Sequence, residues 1–256
     1  MKKTLCALLL SGCTTELAQL PAETKLHINK FNSTHYSIKK SKEVGEKELI
    51  ELAKKADYEE GWLFCEDIWI ECGIKEKETN FCYDNIRLTF SPKNVTSYHI
   101  HPSKPYAGLE DQINKCEENI QEIYKQLEDQ STTMEKRIEL ISSLLWANKQ
   151  KIKDKAILIG CIAFPSERDL HSSLDSNLKS HSVVSKNGVI EYSFKIKPKN
   201  HEENIEFNNE YSIISLISLF ESLIPKSKND TESIYSVVEL LNQKRWIQFS
   251  FRPYTK

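Results

Sequence analysis

The spacing of apolar residues changes several times along the chain, and each change marks an element. Leu49, Leu52, Ala53 and Ala56 repeat on one face, which predicts a helix over Glu46 to Asp57. Gly61 to Ile70 is rich in aromatic and β-branched residues and predicts a strand. Ile86 to Phe90 and Val95 to His101 predict two more, parted by a turn at Ser91-Pro92-Lys93-Asn94. From Gly108 to Lys155 the apolar step becomes three and four. Ile113, Cys116, Ile120, Ile123 and Leu127 form one run, and Met134, Ile138, Ile141 and Leu145 form a second. Asp129 to Thr132 supplies a turn between them, and Thr132 with Glu135 makes a capping box. The expectation is a helical hairpin with coiled-coil-like seams, charged outside them, that projects from the body. Ala156 to Phe164 reads as a strand, and Ser166 to about Leu178 as a helix. His181 to Ser185 and Val189 to Ile196 flank Lys186-Asn187-Gly188, a hairpin signal. Leu216 to Ile224 and Ser233 to Leu241 read as amphipathic helices either side of a break at Pro225 to Asp230. Arg245 to Arg252 reads as a last strand. Helices and strands mix without regular βαβ alternation, which predicts an α+β fold.

Composition narrows the function classes. At 39% hydrophobic residues the chain can bury a core. Lys and Arg number 35 against 37 Asp and Glu, so no basic excess points to nucleic acid. The chain has only 7 glycines, and neither a Walker nor a dinucleotide pattern is present. The N-terminus reads as a targeting segment: Lys2 and Lys3, an apolar run from Thr4 to Leu10, then Leu10-Ser11-Gly12-Cys13. A small-residue pair before a cysteine resembles the bacterial lipoprotein signal, which implies lipidation at Cys13. Residues 1–13 are then the signal, 14–30 a tether and 31–256 the working domain, with 108–155 as an inserted hairpin. Lipid anchoring places the protein on the bacterial membrane, facing the periplasm or exterior; an ordinary N-terminal strand or helix, and a cytoplasmic protein, is the alternative. Past Cys13, five cysteines remain, Cys65, Cys72, Cys82, Cys116 and Cys161, with no CxxC pair. Cys72 and Cys82 flank a charged loop and suit either a bridge or free thiols.

Three pieces carry candidate chemistry. In Tyr98-His99-Ile100-His101-Pro102, strand alternation points His99 and His101 the same way, so one cation can take both rings. In Pro165-Ser166-Glu167-Arg168-Asp169, a helix puts Ser166 and Asp169 on one face. Asp169 is a candidate third ligand and Ser166 a candidate donor to an oxyanion, although Ser followed by an acid three residues later is also an ordinary helix cap. In Tyr58-Glu59-Glu60-Gly61-Trp62-Leu63-Phe64, a glutamate where a helix gives way to a strand is a candidate general base, and either Glu59 or Glu60 fits.

Taken together, Glu, then H-x-H-P, then S-x-x-D resembles the JAB/MPN (JAMM) metalloprotease family. The segment Val183-Val184-Ser185-Lys186-Asn187-Gly188-Val189-Ile190-Glu191-Tyr192 resembles the hairpin that follows the metal-binding helix there. The likeness covers roughly Glu46 to Asp175 apart from the insertion, and the remainder more loosely. It implies a JAB/MPN-like (cytidine deaminase-like) mixed sheet flanked by helices. It also implies zinc on His99, His101 and Asp169, with Ser166 supporting the oxyanion and Glu59 as the preferred base. The implied reaction is hydrolysis of a peptide or isopeptide bond in a protein substrate, ubiquitin-like substrates included. The family joins HxHP to SxxD by a short loop, whereas here Ser103 to Pro165 intervenes. A long insertion is compatible with the site if its ends meet, since loop-closure cost grows slowly with length. Two other readings differ in kind. One is an inactive protein-binding module of the same fold. The other is a branch resembling the bacterial DNA-repair-associated RadC proteins, against which the missing basic excess and the export signal both count.

Overall fold

The structure, a computed structural model, describes residues 26–28, 37–40, 45–57, 59–65, 68–72, 86–88, 95–174, 176 and 178–254. Its elements in chain order are β1 (Leu26–Ile28), β2 (Ser37–Lys40), α1 (Glu46–Lys55), β3 (Glu60–Cys65), β4 (Ile68–Cys72), β5 (Ile86–Leu88) and β6 (Thr96–Ile100). There follow α2 (Ala107–Glu128), α3 (Met134–Ala163), α4 (Glu167–Leu174), β7 (Ser180–Ser185) and β8 (Gly188–Phe194). The chain ends on α5 (His201–Tyr211), α6 (Ile213–Leu223), α7 (Asp230–Asn242) and β9 (Ile247–Pro253).

Seven strands form one mixed sheet in the order β2-β4-β3-β6-β7-β8-β9, and β1 pairs with β5 alone. All neighbours are antiparallel except β6 and β7, which run parallel. A parallel pair needs a long crossover, and here the crossover is the whole stretch through α2, α3 and α4. The fold is α+β, as expected. On one sheet face, Trp62, Tyr98, Ile100, Val184 and Val189 pack against Leu49, Ile50 and Ala53 of α1. On the other, Val183, Ile190, Tyr192 and Phe249 meet Ile159, Ala163 and Phe164 with Phe220 of α6 and Val237 of α7. Consecutive residues on β6 therefore face different layers, and His99 points away from α1.

Several elements differ from the expectation. Gly61 to Ile70 is two antiparallel strands, β3 and β4, rather than one; the acidic pair Glu66-Asp67 interrupts the apolar run there. Ala156 to Phe164 is the end of α3 rather than a strand. A helix end buried on all sides loses its polar face, so its sequence shows a continuous apolar run of strand-like length. The cap of α3 is Thr133, which accepts from the Lys136 amide, one residue beyond the expected Thr132. Helix α5 carried no apolar stripe clear enough to predict it. Its start is nonetheless written in the sequence: Asn200 accepts from the Glu203 amide while Glu203 accepts from that of Lys199.

The hairpin turn is as expected. Gly188 has φ +139, and a Cβ there would lie 2.2 Å from the Arg252 carbonyl oxygen, so only glycine fits. Leu26–Ile28, within the expected tether, pairs with Ile86–Leu88. The signal segment with Cys13, the Ser91–Asn94 turn, Cys82 and the side chains of Cys65 and Cys72 lie outside the described residues. Cys116 and Cys161 are free thiols. Among the described residues no helix is long and apolar enough to cross a membrane.

Candidate metal centre

The site forms where three elements meet on the α3–α4 face of the sheet. Strand β6 supplies His99, and the residue just past its end is His101; they are 7% and 5% exposed. Their rings stand edge to face with centroids 4.8 Å apart. The approach to β3 supplies Glu59, and the first turn of α4 supplies Asp169.

Register decides between the two glutamates. Glu60 lies across from Ile100, and Gly61 across from His99. Cross-strand partners share a face, so Glu60 points with Ile100 toward α1. Residue 59 has the parity of Gly61 and His99, and Gly61 puts no side chain between them. Accordingly Glu59 Oε2 lies 3.1 Å from His99 Nε2. One ligand atom from each of Glu59, His99 and His101 falls within 4.8 Å of the others, a triad able to hold a metal ion.

Asp169 closes the cluster. Its Oδ1 is 3.0 Å from His99 Nδ1 and its Oδ2 is 3.5 Å from His101 Nε2. Ser166 donates to the same Oδ2 through its amide at 2.8 Å and its hydroxyl at 2.7 Å, and the Asp169 amide points back at Ser166 Oγ at 3.2 Å. The helix cap and the carboxylate beside the histidines are therefore one arrangement. Capping fixes the carboxylate, and the fixed carboxylate meets both imidazoles. Ser166 spends its hydroxyl proton on Asp169 here. It is exposed, so the hydroxyl is also open to solvent.

The insertion contributes through its backbone. His101 Nδ1 lies 3.1 Å from the carbonyl oxygen of Ile162 in the last turn of α3 and donates to it. That contact is where the two ends of the long insertion meet. With Nδ1 protonated, the neutral ring has its lone pair on Nε2. Among the described residues this buried atom has no hydrogen-bond partner, and Asp169 Oδ2 is 3.5 Å away. His101 Nε2 and Asp169 Oδ2 are thus two electron-pair donors facing each other, a pairing that suits a shared cation. A carbonyl or carboxylate holding the far nitrogen is also the usual companion of a metal-binding histidine. His99 has a carboxylate at each nitrogen, so whichever nitrogen takes a cation, the other keeps an acceptor.

Electrostatics point the same way. Burial pulls the pKa of His99 down, but Asp169 and then Glu59 outweigh it and hold the ring up to about 10. Burial pushes the Asp169 carboxyl up, and the charge and hydrogen bond of His99, with the nearby His101 ring, bring it well below the usual range. A carboxylate held ionised against buried imidazoles makes a site that favours positive charge.

All the residues expected at the site thus come together: Glu59, His99, His101 and Asp169 in the cluster, with Ser166 behind Asp169. His171, two residues past Asp169, lies on the surface. The Ile162 carbonyl was not foreseeable, since any residue type offers one. His181, on the neighbouring strand β7, has hydroxyl partners instead. It is buried between Ser97 Oγ at 2.7 Å on Nδ1 and Ser176 Oγ at 2.7 Å on Nε2. Comparison of the chain with family models, curated proteins and solved structures gives no match.

Proposed function

We propose that the chain is a zinc-dependent hydrolase of the JAB/MPN kind that cleaves a peptide or isopeptide bond. The observation that carries this reading is the convergence of His99, His101 and Asp169 from separate elements, with Glu59 beside them and the Ile162 carbonyl orienting His101. The donor set, two imidazoles and one carboxylate, is that of a catalytic zinc site with an open position. Zinc held there would supply Lewis acidity toward the scissile carbonyl and the attacking water.

The chain's own groups supply the rest. Glu59, on the rim of the cluster, takes the proton from the attacking water at a carboxylate oxygen and returns it to the departing amine. Ser166 keeps its amide on Asp169 when its exposed hydroxyl, which donates to Asp169 in the absence of substrate, turns toward the oxyanion. The long α2–α3 insertion begins and ends beside the site, where a protein substrate would pass. Lipid attachment at Cys13 belongs to the same proposal and puts the substrate outside the cytoplasm. Labelling with palmitate, lost in Cys13→Ser, tests that part.

The reciprocal cap between Ser166 and Asp169 favours a second reading, in which the pair serves only to start α4 and the chain is a binding module. Zinc content of the purified full chain separates the two. About one tightly bound zinc, lost in both His101→Ala and Asp169→Ala, supports the hydrolase. Zinc that survives Asp169→Ala, or none after reconstitution, rejects it. Glu59→Gln then distinguishes catalysis from binding: zinc is retained, and turnover of a peptide or isopeptide substrate falls by roughly 10²–10⁴.

A further inference from the structure

The second apolar run of the insertion lies outside the seam it was expected to form. Leu140 and Ala147 of α3 are buried against α2, whose Ile120 and Ile123 are also buried. Met134, Ile138, Ile141 and Leu145 are 71%, 59%, 49% and 68% exposed. At about 100° per residue these four lie roughly 130° around α3 from the seam. They step four, three, four, which is the spacing one helix presents to another. Helix α3 thus has two apolar faces, and α2 covers one. A contiguous exposed stripe of this kind marks an interaction surface.

We propose that a second copy of this chain covers the stripe, its α3 lying antiparallel to the first. The charges beside the stripe select this occupant. Glu135, Ser142 and Lys149 are all exposed and sit seven residues apart, so they form one row along the edge of the stripe. Read in reverse, the row is Lys, Ser, Glu, the complement of itself. A two-fold axis near Ser142 sets Glu135 of each copy against Lys149 of the other and brings the two Ser142 together at the centre. The same axis sets Ile138 level with Leu145 of the second copy and brings the two Ile141 side chains close together. It also leaves Met134 within about one turn of Ile152, the half-buried residue that continues the stripe toward the body. A parallel pairing would offer no such match, and a two-fold arrangement closes on itself as a dimer. The stripe is one face of one helix, a small contact beside the roughly 800 Å² per partner of a standard interface, so the dimer should dissociate in about the micromolar range. This inference is independent of the metal site.

Sedimentation velocity on the full chain from about 1 to 100 μM tests it. Wild type should pass from monomer to dimer across that range. Ile138→Asp with Ile141→Asp should stay monomeric, with an unchanged circular dichroism spectrum because both positions are exposed. Glu135→Lys and Lys149→Glu should each weaken the dimer by about fivefold, since each puts like charges at both ends of the row. The two together in one chain should restore it. A wild type that is monomeric at about 100 μM, a dimer indifferent to the aspartates, or a charge exchange that fails to restore association would each overturn the proposal.

Discussion

His99 and His181 are the same residue type on adjacent parallel strands, equally buried and on the same face of the sheet, two register steps apart. They behave in opposite ways. His99 lies between two carboxylates, and its pKa is held up to about 10. His181 lies between two hydroxyls, stacked on Tyr192, and its pKa is pushed down to about 4, by burial first and then by the charge of Lys197, against a weaker opposing pull from Asp169. The difference lies in what each neighbour can do. A hydroxyl donates or accepts, so two of them satisfy a neutral ring, which has one donor and one acceptor. A carboxylate only accepts, so two of them ask for a ring with two protons or for a cation between ring and oxygen. Buried histidine is therefore not the mark of the candidate metal site. Histidine among fixed carboxylates is.

The largest effect expected from this contrast is on bound metal. His99→Asn should leave the purified chain without zinc and without hydrolysis, because it removes a ligand. His181→Asn should keep about one zinc per chain and turnover within a few-fold of wild type. If both variants lose zinc with their fold intact, the two histidines belong to one functional unit and the contrast fails.

Next in size is a dependence of stability on acid. The folded-state pKa of His181, about 4, lies below the ordinary value of 6.5. Above pH 6.5 the ring is neutral in both states and contributes nothing to the pH dependence. As pH falls from 6.5 toward 4 the unfolded chain takes up a proton that the folded chain refuses, so stability is lost. At 1.36 kcal/mol per unit, the loss approaches about 3 kcal/mol near pH 4. Urea unfolding at pH 7 and pH 4.5 should show this loss in wild type and much less of it in His181→Asn. Equal losses in the two proteins would assign the acid sensitivity to other groups.

The sequence displayed one of these two histidines and not the other, for a physical reason. His99 and His101 alternate on a strand and precede a proline, and Ser166 and Asp169 share a helical face, so local spacing alone brings out the pieces of the site. Joining the halves across the insertion took the resemblance of the whole Glu, HxHP, SxxD pattern to a known family, and the Ile162 carbonyl that links them has no side-chain signature. His181 depends on Ser97, a neighbour only through the β6–β7 parallel pairing, which no local period encodes. The same limit explains α3. Its sequence shows two apolar rows, but which of them meets α2 depends on how the helix is rotated. That rotation is set by the burial of Leu158, Ile162 and Ala163 in the body. The fold class needed only periodicity, while the layer each face packs against needed the tertiary contacts.

The smallest effects compare the hydroxyls themselves. Ser97→Ala removes the partner of a buried ring nitrogen and leaves it unsatisfied, which should cost about 2 kcal/mol of stability at neutral pH with zinc affinity unchanged. Ser166→Ala should cost less, about 1 kcal/mol, because the cap it removes is exposed and water can replace it. Its distinctive effect should be on the metal. Asp169 Oδ2 loses one of the two groups that hold it, and zinc affinity should fall by about tenfold, as it does when a ligand's supporting hydrogen bond is removed. Chelator competition with each purified variant measures the affinity, and urea unfolding of the same samples measures the stability. Crossed outcomes are expected, with Ser97→Ala the less stable and Ser166→Ala the weaker zinc binder. If Ser166→Ala binds zinc like wild type, the serine acts on helix α4 alone, and the link from cap to carboxylate to metal is broken at its first step.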